Sequence, residues 1–248
     1  MLVTIFPLRD FPLINPGDDL EGVIVAGLRK ITLKNDDILV VAHTIVSKAE
    51  NKVYNLNEIS PSSFAQSISE FQGKDPRKIE VILQESSEII RMNEHVLITA
   101  TKHGFICANS GVDKSNTPGE TVIGLPNDPD LSARRIKERI LKDLGKDVAV
   151  IISDTFGRPL RVGTVNVAIG VAGIYPIDDL RGKKKDLFGY ELISTVVAKA
   201  DEIAAAAGLV MGQSDEGTPV IIVRGVEYAK DDASAKILIR DRQTDVFR

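Results

Sequence analysis

The chain has 248 residues, 43% of them hydrophobic, which is enough for a buried core in one large domain or in two small ones. A net charge of −4 gives no bulk attraction for nucleic acid or for an anionic membrane surface, so any anion must be held locally. The single cysteine excludes an intramolecular disulfide framework and a cysteine-ligated structural zinc site, and no stretch approaches the roughly 18 apolar residues of a membrane helix. The segment Met1 to Pro7 lacks the basic and long apolar regions of a secretory leader, so a mature cytoplasmic protein is expected.

In chain order, a Val- and Ile-rich strand is expected at Leu2 to Phe6, then Phe11-Pro12-Leu13-Ile14 ahead of a helix at Asp18. A second strand, Asp37 to Ala42, runs into His43-Thr44-Ile45-Val46-Ser47-Lys48-Ala49-Glu50. Lys48 has the charge to neutralise a phosphate, although a lone lysine is more often solvated. Ser60-Pro61 and Asp75-Pro76 each set a capping side chain before a proline suited to a first helical turn. A strand at His95 to Ala100 leads to the polar loop Cys107-Ala108-Asn109-Ser110-Gly111-Val112-Asp113-Lys114-Ser115-Asn116. Asp113 and Asn116 there offer oxygens to a cation or contacts to a phosphate, or else form a surface turn. Cys107 reads as a small buried hydrophobe, and His43 and His103 are too few and too distant in sequence to signal a histidine metal site.

Asp128-Pro129 opens a further helix whose amphipathic spacing runs from Leu131 to Leu141, with Gly145 as its stop. That helix feeds a strand, Val148 to Ser153, which ends on Asp154-Thr155-Phe156-Gly157-Arg158. A polar side chain delivered at a strand end before a Gly/Pro loop suits a site, and suits a simple Asx turn equally well. Arg158 and Arg161 have the charge to face anions, while Gly157 and Gly163 allow close backbone approach. After a strand at Thr164 to Val171, the charge run Arg181-Gly182-Lys183-Lys184-Lys185 is a break between substructures, a receiver for an acidic substrate or a solvated stretch. A long helix is expected from about Glu191 to Gly208, since Leu192, Val196, Ala200 and Ile203 recur at helical spacing. The loop Met211-Gly212-Gln213-Ser214-Asp215-Glu216-Gly217-Thr218-Pro219 then exposes backbone N–H groups and carboxylate and amide oxygens, although taken alone it reads rather as a helix C-terminal cap and a solvated turn, and Val220 to Arg224 forms the last strand.

Helices and strands are interspersed without a regular βαβ series, which predicts an α+β fold of mixed or antiparallel sheets with packed helices. Neither G-x-x-x-x-G-K-[ST] nor G-x-G-x-x-G occurs, so a nucleotide would not be held by a P-loop or an ordinary Rossmann turn.

Taken together, Phe11 to Ile14, Ser47 to Glu50, Asn109 to Asn116, Ser153 to Arg158 and Met211 to Gly217 resemble the coenzyme F420-0:L-glutamate ligase family, in order and across about the whole chain. The resemblance implies a single ligase domain, with two interleaved subdomains as a variant of it, in an intertwined homodimer. It implies a GTP-dependent enzyme that joins L-glutamate to the deazaflavin precursor coenzyme F420-0, adds a further γ-linked glutamate, and works through an acyl phosphate with release of GDP and phosphate. Two divalent cations, Mg²⁺ or Mn²⁺, are implied as well, and a monovalent cation such as K⁺ is a further candidate. Carried over by residue, Asp113 and Asp154 would hold one metal and Thr155 and Gln213 the other. Phe11, Pro12, Leu13, Ile14, His43, Thr44, Lys48, Asn116 and the run Met211, Gly212, Gln213, Ser214, Asp215, Glu216, Gly217 and Thr218 would contact GTP. Family members can carry serine in place of His43 and glutamate in place of Gln213, and a neutral Gln213 leaves a second cation less compensated. A metal-dependent phosphohydrolase or phosphotransferase and a non-catalytic GTP-binding regulatory protein are the alternatives that the same loops allow.

Overall fold

The structure, a computed structural model, describes residues 2–114 and 116–246; Met1, Ser115 of the second loop, Phe247 and Arg248 lie outside the described residues. In chain order the elements are β1 (Thr4–Pro7), α1 (Leu20–Leu28), β2 (Ile38–Ala42), α2 (His43–Ala49), β3 (Val53–Asn55), α3 (Ser63–Gln72), α4 (Pro76–Glu85), β4 (Ser86–Met92), β5 (Leu97–Thr101) and β6 (Ile106–Ala108). They continue with β7 (Thr121–Ile123), α5 (Pro129–Leu144), β8 (Ala149–Arg158), β9 (Arg161–Ala172), β10 (Asp178–Asp179), β11 (Val196–Val197), α6 (Lys199–Met211) and β12 (Val220–Arg224). The expectation of mixed and antiparallel sheets with packed helices agrees with this order.

The main sheet runs β1-β12-β2-β8-β9, with β2 and β8 parallel and the other neighbours antiparallel. Its central strands are continuous apolar runs because both faces are covered: Ile38 to Val41, Val150 to Ile152 and Val220 to Val223 are all buried. Helix α5 packs on β8 and β9, and α6 packs on β1, β9 and β12. Gly170 is required where α5 meets the sheet, since an added Cβ would lie 2.4 Å from the Pro129 carbonyl group. Strand β9 is the sheet edge, and two carboxylates cover part of it: Asp201 accepts the Ala168 N–H and Asp130 the Val171 N–H, each at 2.8 Å. Opposite Ile152 and Ser153, the pairing jumps from Gly170 to Ala168, which makes Ile169 the extra residue of a bulge.

A second apolar cluster lies under α3, α4, the β4-β5-β6 sheet and the β3-β7 pair, and is built on Leu56, Ile68, Ile79, Ile82, Leu97 and Val122. Asp75 and Asp128 cap α4 and α5 ahead of their prolines, as expected, and Gly145 closes α5 in the left-handed conformation. The helix expected at Ser60-Pro61 begins instead at Ser63, capped by Ser62, whose N–H and hydroxyl both bond to the Glu80 carboxylate. The long helix expected from Glu191 begins only at Lys199. Residues 180–195 instead form an arm closed by Leu180 N–H to Thr195 O, Gly182 N–H to Leu192 O and Leu192 N–H to Lys184 O bonds, so Leu192 belongs to extended chain and the helical spacing there is incidental. The basic run Arg181 to Lys185 forms part of the same arm. No helix among the described residues is long and apolar enough to cross a membrane.

The buried Glu85 at the end of α4 ties the second cluster to β3: it accepts the Tyr54 hydroxyl at 2.7 Å and the Lys52 ammonium at 3.2 Å. Burial by itself would raise the Glu85 pKa, but the Tyr54 hydrogen bond and the Lys52 charge outweigh it and hold the carboxyl below its ordinary value of 4.5. Its stabilisation is complete above that value and is lost as pH falls through the lower folded one. Replacing Glu85 by Gln strands Lys52, so E85Q is expected to lose about 3 kcal/mol at neutral pH and less toward pH 4. Chemical denaturation across this pH range checks it, and a pH-independent loss would contradict the ion pair.

Candidate functional site

Strands β2 and β8 end side by side, with Ala42 opposite Ser153 in parallel register, so the next residue of each strand, His43 and Asp154, enters the same cavity. His43 Nε2 lies 3.1 Å from Asp154 Oδ1, with both side chains nearly buried, and His43 Nδ1 is 3.4 Å from the Ser47 hydroxyl one helical turn on. Burial alone would lower the imidazole pKa, but Asp154, with a smaller contribution from Asp113, raises it overall. Cys107 is buried here, as expected of a small hydrophobe, and its thiol pKa is pushed up by burial and then by the Asp154 charge.

The cavity has a volume of about 710 Å³ and gathers residues from six separate stretches of chain, Thr164 and Asn166 of β9 among them. Phe11 to Ile14 form one wall, and His43, Thr44 and Lys48 of α2 another. Asp113 and Asn116 come from the loop after β6, Asp154 and Thr155 from β8, and Met211 to Thr218 from the loop after α6. All the residues that the family resemblance assigned to metal or nucleotide therefore line one space. The Lys48 ammonium donates to the Asn116 carbonyl at 2.7 Å, tying α2 to that loop, and burial lowers its pKa. Arg158 and Arg161 do not line the cavity. The Arg158 guanidinium bonds the Val162 and Gly163 carbonyls of its own hairpin turn, because β8 runs on past Asp154 and carries it away. The basic run of the arm is likewise absent from the lining.

Asn166, one polar position in an apolar strand, carries no local signal that marks it as a site residue. It is buried on β9, and its carboxamide oxygen accepts the Gln213 amide at 2.9 Å and the Thr155 hydroxyl at 3.4 Å. The same hydroxyl lies 3.1 Å from Gln213 Oε1 and shares its single proton between the two oxygens, so the three side chains form one ring of contacts between β8, β9 and the loop after α6. That loop is folded on itself. Glu216 accepts the Ser214 N–H at 2.8 Å, and backbone N–H groups of residues 213, 214 and 216 hold its carboxyl below the ordinary glutamate value. Gly212, at φ 76°, lets the carboxylate sit there, since an added Cβ would lie 2.1 Å from Glu216 Cδ.

The donor set is rich in oxygen: the Asp113 and Asp154 carboxylates, the Thr155 hydroxyl and the Asn166 and Gln213 carboxamides line one space, and the side-chain oxygen of Asn109 is buried without a hydrogen-bond partner among the described residues. Such a set suits hard divalent cations. No group of three or more His, Cys, Asp or Glu is placed to hold a metal among the described residues, so the carboxylates alone do not complete a shell.

The F420-0:Gamma-glutamyl ligase profile matches residues 9–225. The chain belongs to this family. Proteins named coenzyme F420:L-glutamate ligase are 48% identical to this F420-0:gamma-glutamyl ligase family member in Methanothermobacter thermautotrophicus, over 100% of both chains, and 48% identical in Methanopyrus kandleri, over 95% of this chain and 93% of the relative. A relative of the same name from Archaeoglobus fulgidus is 40% identical over 100% of this chain and 97% of its own. Within this family member the Asn166 ring is the feature with a direct structural test. N166A removes the shared acceptor and is expected to cost about 2 kcal/mol in stability. It also exposes the amides of residues 212–217 to faster hydrogen exchange; unchanged exchange there would show that the ring does not hold the loop.

Proposed function

We propose that this protein is a GTP-dependent ligase that adds L-glutamate to coenzyme F420-0 and then a further γ-linked glutamate, in the cytoplasm and as a homodimer. One observation carries the reading: Asp113, Asp154, Thr155 and Gln213 meet Phe11 to Ile14, Lys48 and the loop after α6 around one cavity of about 710 Å³, a space sized for a nucleotide and an acceptor tail. The family membership and the names of the full-length relatives support the acceptor and the amino acid.

A carboxylate resists attack by an amine because its carbonyl is deactivated and oxide is a poor leaving group. Transfer of the γ-phosphoryl of GTP to the acceptor carboxylate forms a P–O bond to it and releases GDP. The amino group of glutamate then attacks the acyl carbon, the bond to phosphate breaks, and the proton of the amine passes to solvent. Asp113 and Asp154 would hold one divalent cation and Thr155 and Gln213 another, and bound Mg²⁺ or Mn²⁺ would neutralise charge on the phosphates. Lys48 compensates phosphate charge from α2, and His43 fixes the orientation of Asp154 through its 3.1 Å contact. The loop from Met211 to Thr218 presents backbone N–H groups to the nucleotide once Glu216 yields them.

Asp154→Asn keeps the shape of the side chain and halves its capacity for a cation. Mass analysis after incubation with F420-0, glutamate, GTP and Mn²⁺ is expected to find added glutamate with the unaltered chain and at least a hundredfold less with D154N, about 3 kcal/mol in the barrier. Near-normal product at saturating metal would overturn the role of Asp154, and GTP turnover that ignores glutamate would favour a phosphohydrolase.

Dimerisation draws its support from apolar side chains that the single chain leaves in solvent. Leu187 and Phe188 on the arm are 100% and 97% exposed, and Leu160 and Val162 at the β8–β9 tip are 91% and 95% exposed. Sedimentation velocity is expected to give a dimer that L187D/F188D converts to monomer, while a monomer in both cases would remove the proposal.

A further inference from the structure

A second cleft, of about 210 Å³, shares no lining residue with the first. The two nonetheless share framework: Phe105, just before β6, lines one and Cys107 and Ala108 the other, while Ile169 and Asn166 of β9 divide in the same way.

The chemistry of this second cleft is uneven in a telling manner. Its formal charges cancel, with Lys52, Lys102 and Lys236 against Glu85, Asp128 and Asp130, so it does not suit a polyanion. The groups already engaged are distinguishable from those left open. Asp128 caps α5, and Asp130 accepts the Val171 and Ala235 N–H groups and the Ser234 hydroxyl. Lys52 and Tyr54 both bond Glu85 Oε1. The others are less engaged among the described residues: Glu85 Oε2 accepts no hydrogen bond, Lys102 holds only a long ion pair with Glu85 Oε1, at 3.8 Å, that leaves its other donors open, and Lys236 has no ion pair. Phe105, Pro129 and Ile169 supply an apolar floor between them.

One carboxylate oxygen and two ammonium groups around an apolar floor complement one ammonium and two carboxylates on a short carbon chain. We propose that this cleft is a second binding site, separate from the nucleotide cavity, for a dicarboxylic α-amino acid. Its ammonium meets Glu85 Oε2 and its two carboxylates meet Lys102 and Lys236. The choice of L-glutamate as the probe rests on the function proposed above; the complementarity does not.

The chain's histidines report on it independently. His103 lines this cleft, with Nε2 3.0 Å from the Asn127 carbonyl and Nδ1 buried without a partner among the described residues; His43 lies in the nucleotide cavity, and His95 lines neither. In NMR spectra of the full chain without nucleotide or metal, L-glutamate is expected to shift the His103 Hε1 resonance saturably and to leave His95 unmoved. K102A/K236A changes two lysines outside the nucleotide cavity and is expected to weaken that response by about tenfold or more. Inorganic phosphate and glutarate, the latter with both carboxylates and no ammonium, are expected to bind far more weakly. Three results would overturn the site: no saturable His103 shift, an unchanged response in K102A/K236A, or glutarate or phosphate binding as tightly as glutamate. A His103 response in a chain that ligates no glutamate would leave the site standing and remove the function; ligation without the response does the reverse.

Discussion

The parallel pairing of β2 with β8 is the constraint on which the site depends. Both strands are buried on both faces, so their register is held by packing along their length, and Ala42 stands opposite Ser153. At that point the chains part: one turns into α2 and the other continues toward the hairpin. The side chains that follow, His43 and Asp154, face each other at the edge of the core. A carboxylate brought this far out of water needs a partner, and the imidazole is within 3.1 Å of it. A slip of one residue in the pairing would turn every apolar side chain to the other face and separate the pair.

The rest of the cavity is held to that point by side chains rather than by more sheet. Asn166, on the strand beside β8, links Thr155 to Gln213 and so fastens the loop after α6 across the opening. Gly208 lets α6 approach close enough for this, since a Cβ there would lie 3.0 Å from the Asn166 carboxamide. The loop's backbone N–H groups are in turn occupied by Glu216, an internal anion in a position where an incoming phosphate would compete. Lys48 on the opposite side closes the ring through Asn116.

Strand β9 contributes to both cavities. Asn166 lines the first and Ile169, three positions on, the second, an odd separation that sets side chains on opposite faces of a strand. The edge of the sheet is shielded at the same place by Asp130 and Asp201, whose carboxylates take up N–H groups that another strand would otherwise pair. Stability and site construction are therefore concentrated in one short stretch of one strand.

By itself the sequence determined the central strands, the capped starts of α4 and α5, and the polar loops that deliver Asp113, Asp154 and Gln213, because each is written in local chemistry: apolar runs, a carboxylate before proline, small residues after a helix. It also carried the family resemblance, through the order of short motifs spread along the chain. Only the tertiary structure decided what those loops do together. The arm at residues 180–195 replaced an expected helix because its backbone found partners within the arm, Arg158 turned back on its own hairpin, Asn166 came from a position that looks unremarkable in a strand, and the second cleft from residues scattered between Lys52 and Lys236. Hydrogen bonds between residues 13 to 68 positions apart, such as Asn166 to Ser153 and Lys48 to Asn116, leave no periodic trace in the chain, so they become visible only when packing brings the partners together.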